Sequence, residues 1–414
     1  MRISDLRLQR TSASARASAR IAWEDSARAP FELFFETDSR GMADLVPDPE
    51  AFVTACVLPA IHHGERRILV DGSLCPRLSE GLQNAAALLR GWYGPPRKPI
   101  QIDASEGFRA IVPRQPPRSA LYFTAGVDSS HLLHSNRRHY PLDHPASFAE
   151  CLSIHGHLRA ESEDSPWNAR ALSALERVAA ANRLALIPVR TNLWDLSPDL
   201  ELVTRESLSS ALAAAAHLFR GRWTSITLAS GRDLAHQHER GTHPLLDPLF
   251  STSAVEIRHD PVRLTRFERL RDIAADGNGA DSLIVCLAYP GAPHLNCGEC
   301  EKCLRTMTHL LALGRLSQVR TFPHRDVRPE MIRAIPISPH ETGYWEEALP
   351  LLAGLGRADL VAAIREKLAE TRRLKLWHDD AGWKGRLRRL DRRFLGGRMA
   401  GLRRRLGRRA SRGA

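Results

Sequence analysis

No run of eighteen apolar residues occurs in this 414-residue chain, so nothing in it reads as a membrane-spanning helix. No secretory signal opens it, and cysteine is sparse, at seven residues. Both absences argue against a disulfide-built secreted domain and place the protein in a thiol-reducing compartment, the cytoplasm. The one segment that reads as a phosphate loop contains neither G-x4-G-K-[ST] nor G-x-G-x-x-G, which sets aside a Walker loop and a dinucleotide fingerprint.

Four of the seven cysteines are clustered. Cys286, Cys297, Cys300 and Cys303 form a C-x10-C-x2-C-x2-C array, with Cys56, Cys75 and Cys151 scattered elsewhere. Tight C-x2-C turns place thiolates on one tetrahedral centre, and the longer loop returns the fourth, the pattern of a closed structural zinc site. Four thiolates leave no open position for a substrate, so the expected role is structural.

The segment Leu121-Tyr-Phe-Thr-Ala-Gly-Val-Asp-Ser-Ser130 reads as a buried strand, a turn of small residues, and the start of a helix. Small residues let a phosphate approach the backbone. Free N–H groups of the first helical turn, with Ser and Thr hydroxyls, then form an anion cradle reinforced by the helix dipole.

This segment resembles the S-G-G-x-D-S-[ST] signature of the PP-loop ATP pyrophosphatases, with Gly126, Asp128, Ser129 and Ser130 matching. Thr124 keeps the hydroxyl of the usual Ser. Ala125 stands where the family has Gly, a position at which Gly could be using positive φ. With Asn296-Cys-Gly-Glu-Cys-Glu-Lys-Cys303-Leu-Arg305 and the upstream Leu264-Thr265-Arg266-Phe267-Glu268, the chain resembles the 7-cyano-7-deazaguanine synthase family from Ser119 to Leu313. The resemblance implies a HUP-like α/β fold and ATP cleavage between the α and β phosphates. It also implies adenylation of a carbonyl or carboxylate, release of pyrophosphate, and a nitrogen donor that completes a C–N bond. The family's Pro-x-Arg-Asn substrate segment has Arg205-Glu206-Ser207 as its nearest counterpart, and Arg240 to Ser253 does not align.

Apolar strands are expected at 119–124, 150–155, 184–190, 224–230, 254–258 and 282–286, and helices at 128–136, 167–182, 206–220, 263–275 and 301–314. Their alternation implies a parallel, doubly wound sheet, whose ligands bind beyond the carboxyl ends of the strands. Besides the loop, such ends fall at His155-Gly156-His157, Arg190-Thr191-Asn192 and Ser230-Gly231-Arg232-Asp233, and the small Ser230-Gly231 pair suits nucleotide contact.

The expected organisation is an added N-terminal α+β domain (1–112), the ATP domain with its zinc site (113–335), a helical extension (336–371) and a tail (372–414). Arg2 in second position argues against an N-terminal-nucleophile glutaminase of the asparagine-synthetase kind. The tail carries sixteen Lys and Arg against three Asp, a net +13 that exceeds the whole chain's +12, so residues 1–371 sit at −1. Within it Trp383, Leu387, Leu390, Phe394, Met399, Leu402 and Leu406 recur at mostly helical spacing, as in a basic amphipathic helix. Such a helix suits nucleic acid or the anionic inner face of a membrane, where the protein would be peripheral; a solvated tail is the alternative.

The expected activity is therefore an adenylating, C–N bond-forming ligase using ATP, Mg²⁺ and structural Zn²⁺ on a small-molecule acceptor. Thr124, Ala125, Gly126, Val127, Asp128, Ser129, Ser130, Ser230 and Gly231 are the nucleotide-binding candidates, and Asp128, Ser129 and Arg266 the catalytic ones. Two alternatives stand beside it. One is a tRNA-modifying, sulfur-transferring PP-loop enzyme, for which Cys151 is the only thiol in the ATP domain outside the zinc set. The other is a non-catalytic, zinc-stabilised nucleotide-binding module.

Overall fold

A computed structural model describes residues 1–379 except 111, 156–165, 198, 200–201, 276–279 and 287–293; side chains are also left out at 166–168 and 374–379. The chain divides into two compact units, Met1–Asp326 and a second beginning at Val327. Among the described residues, no helix is long and apolar enough to cross a membrane.

The first unit is α/β, built on one ten-stranded sheet. Its strands are β1 (Arg2–Arg10), β2 (Ser14–Ala22), β3 (Phe31–Asp38), β4 (Arg67–Val70) and β5 (Gln101–Ala104), then β6 (Ser119–Tyr122), β7 (Phe148–His155), β8 (Ala185–Thr191), β9 (Ser225–Leu228) and β10 (Glu256–His259). The order across the sheet is β10-β9-β6-β7-β8-β3-β2-β1-β4-β5. All neighbours from β10 to β8 are parallel, β8 to β1 are antiparallel, and β1-β4-β5 are parallel again. In its own chain order the parallel block β6 to β10 reads 3-2-1-4-5, the doubly wound arrangement, with its switch point between β6 and β9. The strands of this block are short and apolar because both faces are covered; Ser119–Tyr122 and Ser225–Leu228 are buried at every position.

The boundary expected at residue 112 does not divide the first unit. β3 pairs with β8 (Phe35 with Thr191, Glu36 with Arg190, Thr37 with Val189), extending the parallel block directly into the N-terminal meander. Helix α1 (Pro49–His62), followed by α2 (Pro76–Tyr93), is buried continuously from Glu50 to Ile61, which is why its sequence is apolar nearly all round. It packs against the helix Leu208–His217, joining residues 1–112 to the β6–β10 block through one hydrophobic core. The later boundary falls at 326/327 rather than 335/336. In the second unit the helix Pro329–Ala334 packs on Ala358–Asp379, with short helices Thr342–Glu346 and Leu349–Gly354 between them. The amphipathic pattern from Trp383 to Leu406 lies outside the described residues.

The strand expected at 282–286 is absent. Ile284 gives its N–H to the Ala125 carbonyl at 2.9 Å, and the N–H groups of Val285 and Cys286 both go to Asn296 Oδ1, at 2.8 and 3.2 Å. These donors are taken by a loop and a side chain, so the segment stays buried without joining the sheet.

Glu50 is a charged residue inside the buried run of α1. Its carboxylate accepts the Cys75 N–H at 2.9 Å and faces Arg109 at 3.4 Å. Burial first, then the Asp48 charge, pushes the carboxyl up to about 7. A folded-state pKa above the unfolded one stabilises the fold below the unfolded pKa, and that contribution is lost as pH rises through about 7. Glu50→Gln retains the acceptor for Cys75, so urea unfolding should find it more stable than wild type at pH 8. The advantage should shrink at pH 5, and a loss of stability at pH 8 would contradict the assignment.

Candidate functional site: a small-residue loop beside a four-cysteine centre

β6 ends where Phe123 gives its N–H to Leu152 at 3.0 Å, and the chain then turns out of the sheet. Ala125 makes that turn in the left-handed region, at φ 52°. Its methyl is buried among Leu121, Phe123 and Leu132. Gly126 caps helix α3 (Val127–His139), whose first turn directs unpaired N–H groups outward. The Thr124 hydroxyl accepts the Gly126 N–H at 3.4 Å and meets Ser129 Oγ at 3.3 Å, while Ser129 Oγ also donates to the Gly126 carbonyl at 3.3 Å. The loop is thus held by its own hydroxyls.

It opens into a cavity of about 320 Å³ at the switch point. Thr124, Gly126, Asp128 and Ser129 line it from the loop, Ser230 and Gly231 from the end of β9, and Arg266 from the start of its helix. Arg266 Nη1 donates to Asp128 Oδ2 at 2.6 Å, and a Cβ on Gly231 would lie 4.0 Å from the same oxygen. Seven of the sequence-expected residues therefore meet in one place. Asp128 Oδ1 is buried there with no protein partner. Ala125 and Val127 turn into the core instead, and neither they nor Ser130 line the cavity. Behind the site Arg269 fixes the β9 end, donating to the Ser230 carbonyl at 2.5 Å and to Asp260 at 2.9 Å.

Cys286 belongs to the wall of this cavity. The sulfurs of Cys286, Cys297, Cys300 and Cys303 all lie within 4.8 Å of one another, with Cys286–Cys300 at 4.0 Å and Cys297–Cys303 at 3.8 Å. Tetrahedral zinc with thiolate bonds of about 2.3 Å has sulfur–sulfur edges of about 3.8 Å, so the group could hold a metal ion such as zinc. Cys297 Sγ also accepts the N–H groups of Glu299 (3.4 Å) and Cys300 (3.2 Å), the knuckle geometry of a C-x2-C turn. Gly298 is required there, with φ 75° and a hypothetical Cβ 2.6 Å from Pro323. Hydrogen bonding by Cys286 and Cys300 raises the Cys303 thiol, a crowding that a bound dication relieves by deprotonation.

The knuckle also delivers Lys302 to the cavity, a residue that the spacing of the cysteines does not flag as a ligand-facing group. Burial, then Arg266, pulls its ammonium down to about 8, so it remains mainly protonated at neutral pH. A further wall residue and the partner behind it were also not legible in the sequence. His259, at the end of β10, has an Asp247 partner at 2.7 Å, and Asp247 comes from the segment Arg240–Ser253 that matched no expected motif.

Other strand ends resolve differently. His155 lines the cavity with its ring 3.3 Å from Ser153 Oγ, while 156 and 157 lie outside the described residues. Arg190 and Thr191 serve the β8–β3 joint, bonding Glu36 and the Phe34 carbonyl. Arg205 stacks over Tyr93 and Glu206 is bridged by Arg97, so neither reaches the cavity. Cys151 is fully buried in β7, and that burial pushes its thiol up to about 12.

Comparison of the chain with family models, curated proteins and solved structures gave no match.

Ala125 generates a test of the loop. Left-handed backbone costs a non-glycine residue about 1–2 kcal/mol. Ala125→Gly relieves this but loses a buried methyl, worth about 0.8 kcal/mol, and loosens the unfolded chain by about 0.4–1 kcal/mol. The net change in unfolding free energy should stay within about 1 kcal/mol, whereas the β-branched Ala125→Val should lose more than about 2 kcal/mol. Equal stability of the Gly and Val variants would show that the turn is not left-handed.

Proposed function

We propose that the protein is an ATP pyrophosphatase of PP-loop, HUP-like architecture that adenylates an acceptor carbonyl or carboxylate and joins it to nitrogen, in the manner of the 7-cyano-7-deazaguanine synthases. The observation carrying this reading is the convergence of the Thr124–Ser130 loop, Ser230-Gly231 and the Arg266–Asp128 pair at the switch point of a 3-2-1-4-5 sheet. ATP lies with its β and γ phosphates against the α3 N-terminus and the Thr124 and Ser129 hydroxyls, where helix dipole and donors favour negative charge.

Arg266 and Lys302 bring positive charge to the same wall. Their task is to balance charge gathering on the departing pyrophosphate, a contribution that grows in the transition state and so lowers the barrier. The buried, unpartnered Asp128 Oδ1 fits a Mg²⁺ ion, which supplies further neutralisation of the phosphates when bound. The rest of the rate gain comes from holding the acceptor oxygen in line with the α phosphate. The four-cysteine centre would hold zinc in a structural role, tying Cys286 to the knuckle that precedes Lys302, and four thiolates would leave no position for substrate. The basic tail is read as a localising segment, drawn to an anionic membrane face or to nucleic acid.

The sulfur-transfer alternative needs an accessible thiolate. Cys151 and Cys56 are enclosed with raised pKa values, and Cys75 is buried against Ser253, so no thiol outside the metal set faces the cavity among the described residues.

The direct test is the product pair. Incubated with Mg-ATP and a 7-deazaguanine-7-carboxylate acceptor plus ammonia, the protein should release AMP and pyrophosphate in equal amounts. Asp128→Ala should lower that release at least a hundredfold with little change in thermal unfolding. ADP and orthophosphate as products would refute the proposal.

A further inference from the structure

A nitrogen nucleophile meets the adenylate only with its lone pair free, and an amine or ammonia at neutral pH is mostly protonated. The addition also places a positive charge on nitrogen that must be discharged before the product forms. The reaction proposed above therefore requires a proton acceptor at the cavity, and most polar groups on its wall cannot serve. Arg266 is a guanidinium cation, Asp128 is bonded to it, and the His155 ring lies against Ser153.

His259 is different. Its side chain is 5% exposed and that of Asp247 is fully buried. His259 Nδ1 donates to Asp247 Oδ2 at 2.7 Å, and Asp247 Oδ1 accepts the His243 N–H at 2.9 Å. A carboxylate on Nδ1 fixes the proton there and leaves Nε2 with its lone pair free. That Nε2 is buried and has no hydrogen-bond partner, on a residue that lines the cavity. Buried polar atoms in native proteins are nearly always paired, so an orphan oriented by a buried carboxylate at a cavity wall points to a ligand proton. The placement has a backbone cause as well. Gly241 packs so closely that a Cβ would meet the Thr204 and Val203 carbonyls at 3.0 Å, which anchors the segment that returns Asp247 beneath β10.

We propose that Asp247 and His259 form a proton-accepting dyad for the nitrogen nucleophile, with His259 as the general base and Asp247 as its positioning residue; this rests on the adenylation reading. The amine or ammonia nitrogen attacks the adenylate carbonyl carbon, forming the C–N bond. His259 Nε2 takes one proton from that nitrogen. The carbon–oxygen bond to the phosphate then breaks, its electron pair leaving with AMP, and His259 returns the proton to solvent.

The test separates nucleophiles by their need for a base. With the 7-deazaguanine-7-carboxylate acceptor and Mg-ATP, His259→Gln should leave ATP–pyrophosphate exchange within about threefold of wild type. It should lower ammonia-dependent product formation by about a hundredfold or more. Hydroxylamine, largely unprotonated at neutral pH, should still trap the adenylate as hydroxamate in the variant. Histidine ¹⁵N spectra of the wild-type protein should show His259 as the Nδ1–H tautomer, and Asp247→Asn should disturb that state. Undiminished ammonia turnover in His259→Gln, or an Nε2–H tautomer in the wild type, overturns the base assignment alone. Loss of exchange in the variant means His259 holds the site together rather than moving a proton, which also overturns it. Absence of exchange in the wild-type protein overturns the adenylation reading, and the dyad's role with it.

Discussion

The left-handed backbone at Ala125 is the constraint on which the site depends. It turns the chain from the buried β6 strand into helix α3 within a few residues, so that hydroxyls and helix N–H groups face one cavity. It also aims the Ala125 carbonyl at Ile284, whose N–H bond at 2.9 Å fastens the segment leading to Cys286 onto the loop. The Thr124–Ser130 loop and the four-cysteine centre are therefore physically joined. A strained residue kept at a loop of this kind is held by its surroundings, here a buried methyl on one side and a hydrogen-bonded neighbour on the other.

Through that joint the parts of the cavity acquire distinct tasks. In the proposed function the β6–β9 switch point offers donors for phosphate; Arg266 and Lys302 line the same cavity, and Asp128 keeps one oxygen without a protein partner. Arg269 sits behind them as a brace, spanning the Ser230 carbonyl and Asp260 rather than facing the ligand space. The N-terminal strands contribute no wall residue. They lengthen the sheet past β8 and bury α1 against the helix Leu208–His217, so their effect on the site is to stiffen the scaffold beneath it.

The parallel block was legible in the sequence because its strands and helices follow their own periodicity. Five of the six expected strands and all five expected helices form near their expected positions. The sixth strand failed for a reason local sequence cannot show: residues 284–286 are apolar like a core strand, but Ala125 and Asn296 take their N–H groups. The continuous sheet was hidden because the pairing of β3 with β8 involves only three residues in each strand, separated by more than 150 positions. Among site residues, Thr124, Gly126, Asp128, Ser129 and the cysteines announce themselves by type and spacing. Lys302 and the Asp247–His259 pair do not, because their meaning comes from where a knuckle and a loop return in space.

Metal-dependent nucleotide binding tests most directly whether the four-cysteine centre and the Thr124–Ser130 loop act as one unit in the proposed function. Purified protein should contain about one zinc per chain, because the binding energy of such a centre is also folding energy. Calorimetric titration with Mg-ATP, before and after the zinc is stripped and Mg²⁺ restored, should show at least a tenfold loss of affinity. Recovery on adding zinc back is expected. Unchanged Mg-ATP affinity in zinc-free protein would contradict the account.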